Sequence, residues 1–168
     1  YGKMGYVPVF DYTLEHYTIL DKPVADHFRV EAIREVGLLT DDLFNYFQSM
    51  MRLRPCCVQH EREDFEVIVE SLRMDGGALI VVYSDKNIVG MAFAEPRENH
   101  ALVLDGMHDS EDVKRVALWG VMKYLDAAEI YCRVLPSGKA DEHRGMARVL
   151  DVEQMLRLYA VNNPEQDL

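Results

Sequence analysis

No methionine opens this chain, which begins YGKMGY, a phrase that reads like the inside of something longer. The expectation is therefore a piece of a larger protein, cut or processed at residue 1. Positive charge is also in short supply, with eighteen Lys plus Arg against twenty-nine Asp plus Glu, a formal charge of -11. A surface of that sign repels phosphate backbones and anionic lipid, so neither nucleic acid nor a membrane is an expected partner. The apolar fraction of 49% is too high for general disorder. Even so, no apolar run approaches the roughly 18 residues of a membrane span, and no basic-then-apolar signal segment opens the sequence as it stands. A folded, cytoplasmic chain is the expectation. Cysteine is scarce and odd in number: Cys56, Cys57 and Cys132 have no framework spacing, which excludes a disulfide scaffold. Cys56, Cys57 and His60 are metal-ligand types close together, but no second cluster lies near them in sequence and adjacent cysteines rarely face one ion. Reduced thiols are the expected state, with no metal site.

The 168 residues amount to about one domain's worth of chain, with mass enough for a single core. The stretch YVPVFDYTLEHYTI (6 to 19) is β-branched and aromatic and roughly alternating, so it reads as one long strand or two short ones. DKPVADH (21 to 27) carries a proline and charges and reads as a linker. FRVEAI (28 to 33) follows as a strand with Phe28, Val30 and Ala32 on one face. Thr40 or Asp41 caps a helix whose Leu43, Phe44, Phe47, Met50 and Met51 share a stripe, and which ends before Pro55. A second helix from about Glu61 to Met74 has Phe65, Ile68, Val69 and Leu72 as its stripe and is stopped by Asp75-Gly76-Gly77. Both stripes are core, not cofactor contacts.

The period then changes from helix to strand. ALIVVY (78 to 83), the turn SDKN and IVGMAFAE (88 to 95) form the clearest hairpin, with Ile80, Val82, Val89 and Phe93 as core. ALVLD (101 to 105) adds a third strand. Ser110 caps a helix to about Ala127 whose Val113, Val116, Ala117, Gly120, Val121 and Tyr124 share a face. EIYCRVLP (129 to 136) is the next strand. SGKADEHRG (137 to 145) reads as a second linker, Met146 to Leu150 as a short strand, and Asp151 with Gln154 as the opening of a last helix.

The order of helix, helix, three meandering strands, helix and strand resembles the core of the GNAT superfamily of N-acetyltransferases, an α+β fold with a mixed, mainly antiparallel sheet flanked by helices. The two ends sharpen that likeness. YGKMGYVPV resembles the closing segment of a GNAT domain, and GMARVLDVEQML resembles the entry to a sterol carrier protein-like domain. Eis-like acetyltransferases join such pieces in this order. The resemblance implies the tail of a first GNAT domain at 1 to 20, a central GNAT-like domain at 28 to 137, and the start of a sterol carrier protein-like domain at 143 to 168.

It also implies a chemistry. In such enzymes acetyl passes from acetyl-CoA to a primary amine on a small molecule or peptide, an aminoglycoside or another polyamine among them. The departing thiolate needs an acid, which a tyrosine phenol supplies. By resemblance Tyr1 holds that catalytic place, though a cut-off tyrosine with no working role is the plainer reading in this chain. The family's cofactor loop has the form Arg or Gln, two residues, Gly, one residue, Gly or Ala, and holds the pyrophosphate on a helix start. Here that place reads LDGMHDSEDVKR. The glycine spacing is missing, and Asp109, Glu111 and Asp112 would repel a pyrophosphate by about 1 kcal/mol each when exposed. The expectation is that the central domain binds no cofactor and serves as a scaffold that helps assemble a homo-oligomer, acetyl-CoA belonging to the first domain of the parent enzyme. His100, Asp105 and His108 are weighed as a base pair and set aside as a solvated loop, and Lys114 and Arg115 as anion ligands are set aside in favour of surface ion pairs with their acidic neighbours.

Overall fold

The computed structural model describes residues 7–18, 27–54, 59–134 and 142–147, and the side chains of all these except 7–11 and 142–147. The chain divides into two compact units, Leu14–Val134 and a second made of Tyr1–Thr13 with Leu135–Leu168. In the second unit the first half of strand β1 (Val7–Thr18) pairs antiparallel with β7 (Glu142–Ala147), from Val7 opposite Ala147 to Tyr12 opposite Glu142. Over 142 to 145 this corrects the linker expected at 137 to 145, whose first five residues lie outside the described residues. A polar composition does not keep a segment out of a sheet when a long strand offers it an edge, because the ladder is made by backbone groups.

The unit Leu14–Val134 is built on a sheet in the order β2-β3-β4-β5-β6-β1. Its further strands are β2 (Phe28–Ile33), β3 (Ala78–Ser84), β4 (Asn87–Pro96), β5 (Ala101–His108) and β6 (Glu129–Val134). β2 through β5 are antiparallel neighbours, and β5 and β6 run parallel. A parallel pair needs a crossover, which α3 (Glu111–Leu125) supplies. The other helices are α1 (Asp41–Arg52) and α2 (Arg62–Met74), preceded by a short 3-10 turn at Val36–Leu38 that the sequence pattern did not announce. No described helix is long and apolar enough to cross a membrane.

Helix starts are fixed by side chains. Thr40 Oγ1 accepts the Leu43 N–H at 3.4 Å, and the Asp64 carboxylate accepts the Glu61 N–H at 2.9 Å. At α3 the Ser110 hydroxyl accepts the Val113 N–H at 3.3 Å. Each satisfies a backbone donor that the helix itself leaves open.

Both faces of the sheet are covered, which is why β3 reads as an unbroken apolar run. Ile80 and Val82 point to a layer shared with α3, where Val113, Val116, Ala117 and Val121 are buried. Leu79 and Val81 point the other way, to Leu43, Phe47, Phe65 and Val69 of α1 and α2. In that second layer Phe47 stacks on Phe65 at 4.8 Å between ring centroids and meets Phe93 of β4 edge-on at 5.8 Å. α3 comes unusually close to the sheet. A Cβ on Gly90 of β4 would lie 2.5 Å from Val113 Cγ1, so the helix seats where β4 has no side chain.

Candidate functional site

The place to look for chemistry is the fork between β5 and β6. Their parallel pairing consists of Ala101, Leu102 and Val103 opposite Ile130, Tyr131 and Cys132. Just past it β5 carries a bulge: Phe93 faces Asp105 and Ala94 faces Val103, which leaves Leu104 unmatched. A bulge bends its strand and ends regular pairing, so from Leu104 onward β5 follows β4 and parts from β6. β5 nevertheless runs to His108, three residues beyond the expected strand, because Gly106 and Met107 still pair with Ala92 and Met91.

That extension puts Asp105 and His108 on the strand, while His100 ends the loop before it. They form no base pair, and all three are half-buried. Asp105 Oδ2 takes the Arg54 guanidinium at 2.7 Å while the other guanidinium nitrogen donates to the Gly106 carbonyl at 2.8 Å. His100 meets the Tyr131 ring edge-on at 4.8 Å, and His16 stacks on that ring at 4.5 Å. His108 lies close enough to Glu111, Lys114 and Arg54 to feel their charges. Burial is the main cause that lowers its pKa, with Lys114 and Arg54 acting the same way and Glu111 opposing. Burial thus favours the neutral imidazole of His108.

At the head of the fork the chain turns from β5 into α3 through Asp109 and Ser110 alone. The Asp109 N–H donates to the Val89 carbonyl at 3.0 Å, and the Tyr46 hydroxyl lies 2.8 Å from that same carbonyl and 2.9 Å from Asp109 Oδ1. Val89 is itself the extra residue of a bulge on β4, where Val82 faces Gly90 and Tyr83 faces Ile88. Burial, and then the Asp109 carboxylate, push the Tyr46 phenol well above its ordinary range, so it is a fixed donor. Ser110 is spent on its cap and Glu111 and Asp112 fill the first turn of α3.

On the α3 side of the fork lies a cluster that the sequence pattern did not reveal. Lys114 Nζ is 3.0 Å from Glu15 Oε2, and the Tyr17 hydroxyl donates to the same oxygen at 2.6 Å. The expected partner of Lys114, its helix neighbour Glu111, stands at 4.0 Å. This corrects the surface-pair expectation: Lys114 is 19% exposed, and its main partner comes from a strand distant in sequence. Burial works against the ammonium, but the hydrogen bonds it donates to Glu15 and Tyr17 outweigh it and raise its pKa. The bonds from Tyr17 and Lys114 lower that of Glu15, and burial followed by Glu15 raises that of Tyr17. Cys132, on the last rung of the fork, is buried, and burial pushes its thiol up to about 12. The only sequence hint of the cluster is that Glu15 and Tyr17, two apart in a strand, share a face.

Tyr1, Cys56 and Cys57 lie outside the described residues. His60 contacts Asp64 at 3.8 Å and the Phe47 ring at 5.8 Å. No group of three His, Cys, Asp or Glu side chains among the described residues is placed to hold a metal ion.

A mainly antiparallel sheet with helices on both faces and a parallel pair that forks ahead of a crossover helix is the fold of GNAT acyltransferases. Among solved structures, a conserved Enterococcus faecalis V583 protein of unknown function, named a probable N-acyltransferase, superposes with a TM-score of 0.59 at 11% identity over 83% of this chain and 36% of its own. A GCN5-related N-acetyltransferase from Sphaerobacter thermophilus gives 0.51 at 16% identity over 86% of this chain and 52% of its own. The chain spans about a third to a half of the length of these two proteins. No protein-family model and no curated protein matches the sequence.

Proposed function

We propose that this chain is the central, GNAT-like scaffold of an Eis-like, acetyl-CoA-dependent N-acetyltransferase, and that the unit Leu14–Val134 binds no cofactor of its own. The parent enzyme is cytoplasmic and homo-oligomeric in this reading, and it acetylates a primary amine on a small molecule or peptide. The amine nitrogen, once neutral, attacks the thioester carbonyl; the C–N bond forms, the C–S bond breaks, a phenol protonates the leaving thiolate, and the proton shed by the acylated nitrogen restores the phenol. Tyr1 takes the place of that phenol, and the cofactor lies with residues that precede it.

The observation that carries the proposal is the start of α3. A bound pyrophosphate needs open N–H groups and no competing negative charge there. Ser110 already accepts the Val113 N–H, the Asp109 backbone and side chain are both engaged at Val89 and Tyr46, and Glu111 and Asp112 complete an acidic first turn. Ser110 thus takes one of the N–H donors that an anion would use, and the acidic side chains around the helix start repel a second negative charge. The likeness to longer acyltransferase chains supports the role of one module among several.

Isothermal titration of acetyl-CoA into the chain at low salt tests the proposal, with desulfo-CoA as a control for exchange at the thiols. The expected result is no binding heat up to millimolar ligand. Micromolar binding would overturn the scaffold reading and assign a cofactor site to this unit.

A further inference from the structure

Three backbone rungs are little to hold two strands side by side, and the fork of β5 and β6 has a side-chain contact across it. Lys114 sits in the opening turns of α3, which follows β5 after two residues, so its position is tied to the β5 arm. Glu15 and Tyr17 sit on β1, the sheet neighbour of β6, so theirs is tied to the other arm. The 3.0 Å contact between Lys114 and Glu15 therefore joins the two arms.

We infer that Lys114 is a tethered ammonium ligand that bridges the parted arms of the β5–β6 fork and limits how far they open, with the Glu15 carboxylate and the Tyr17 phenol as its seat. The inference deepens the scaffold reading and rests on it in one respect: the seat between the arms is filled by the chain's own Lys114 and not by a ligand. What it adds is the bridging device and the chemical class that the seat takes, a primary alkylammonium.

The geometry of the seat is specific. Two donors, the ammonium and the phenol, converge on the single oxygen Glu15 Oε2. Hydrogen bonds to ionised groups are roughly twice as strong as neutral ones, and the partial burial of Lys114 shields this one from water. The pKa directions agree with a charged lysine, a charged glutamate and a neutral phenol that donates. A primary ammonium has N–H protons to give such a seat, whereas a quaternary ammonium of like charge has none.

Cys132 provides an internal reporter, because it lies buried on the last rung opposite Val103 and feels the charges of both Lys114 and Glu15. With Cys56→Ser and Cys57→Ser it becomes the only thiol of the chain. The rate at which N-ethylmaleimide alkylates it then measures how open the fork is. Lys114→Ala separates two causes by sign. The lysine charge favours the thiolate, so its loss acting through electrostatics alone slows alkylation. Opening of the fork speeds it. We expect at least about a tenfold acceleration in Lys114→Ala, reversed by butylammonium and not by tetramethylammonium. An unchanged or slower rate, or equal reversal by both cations, would overturn the inference. Should Lys114→Ala fail to fold, the exchange Glu15→Lys with Lys114→Glu decides. Slow alkylation in the exchanged pair with fast alkylation in Glu15→Lys alone supports the pin, and fast alkylation in both refutes it. Acetyl-CoA titration of the unmodified chain is read separately, so binding there would defeat the scaffold reading while the alkylation rates still judge the pin.

Discussion

Gly120 of α3 lies directly over Val30 of β2: a methyl group on that glycine would stand 2.6 Å from Val30 Cγ1 and 2.8 Å from Ile80 Cγ2. Helix and sheet touch backbone to side chain here, and the depth of α3 in its layer follows from that contact. Gly120→Ala gains up to about 1 kcal/mol of helix propensity but overpacks a full core, which costs about 1 to 3 kcal/mol. The expected outcome is a net loss of stability in urea unfolding. Val30→Ala combined with Gly120→Ala should recover part of that loss, since it opens the space the new methyl needs.

Tyr46→Phe keeps the ring of α1 in place and deletes the hydroxyl that reaches Val89 O and Asp109 Oδ1. The expected cost is about 1 kcal/mol, because the half-buried Val89 carbonyl loses a donor while the exposed Asp109 carboxylate can turn to water. Urea unfolding of the variant checks it, and a cost near zero would show that water replaces the phenol.

Asp126 ends α3 in the left-handed conformation, with φ 51° and ψ 45°. Glycine adopts that conformation without the Cβ penalty, so Asp126→Gly should stabilise the chain by about 0.5 to 1 kcal/mol in the same measurement. A loss of stability would mean that the Asp126 side chain contributes more than its backbone strain costs.

Glu15 is a depressed carboxylate, so its contribution to stability is present above its ordinary pKa of 4.5 and is lost as pH falls through the lower folded value. Lys114 is raised, so its contribution is complete below its ordinary 10.5 and is lost only as pH climbs through the higher folded value. The difference in Tm between the native chain and Glu15→Gln should therefore hold constant around neutral pH and shrink below about 4.5. A difference that grows on acidification would put the carboxylate outside the ion pair.

Much of the fold is local and was legible as such. FRVEAI predicts the strand found at Phe28–Ile33, the hairpin appears around Asp85 and Lys86, and Thr40 and Ser110 cap the helices they announce. These features depend on side-chain alternation, turn residues and caps, which are set by residues a few positions apart. The acidic start of α3 was equally readable, because Asp109, Glu111 and Asp112 are written consecutively with Ser110.

What only the tertiary structure decided is everything that depends on which strand lies beside which. Strand composition did not show that β5 would continue to His108 and draw Asp105 to Arg54, or that 142 to 147 would pair with β1. Nor did it show that Lys114 would pass over its neighbour Glu111 for Glu15. The reason is physical: register and partner choice are settled by burial and by backbone groups seeking partners across the sheet, and neither leaves a periodic trace in the residues that end up in contact.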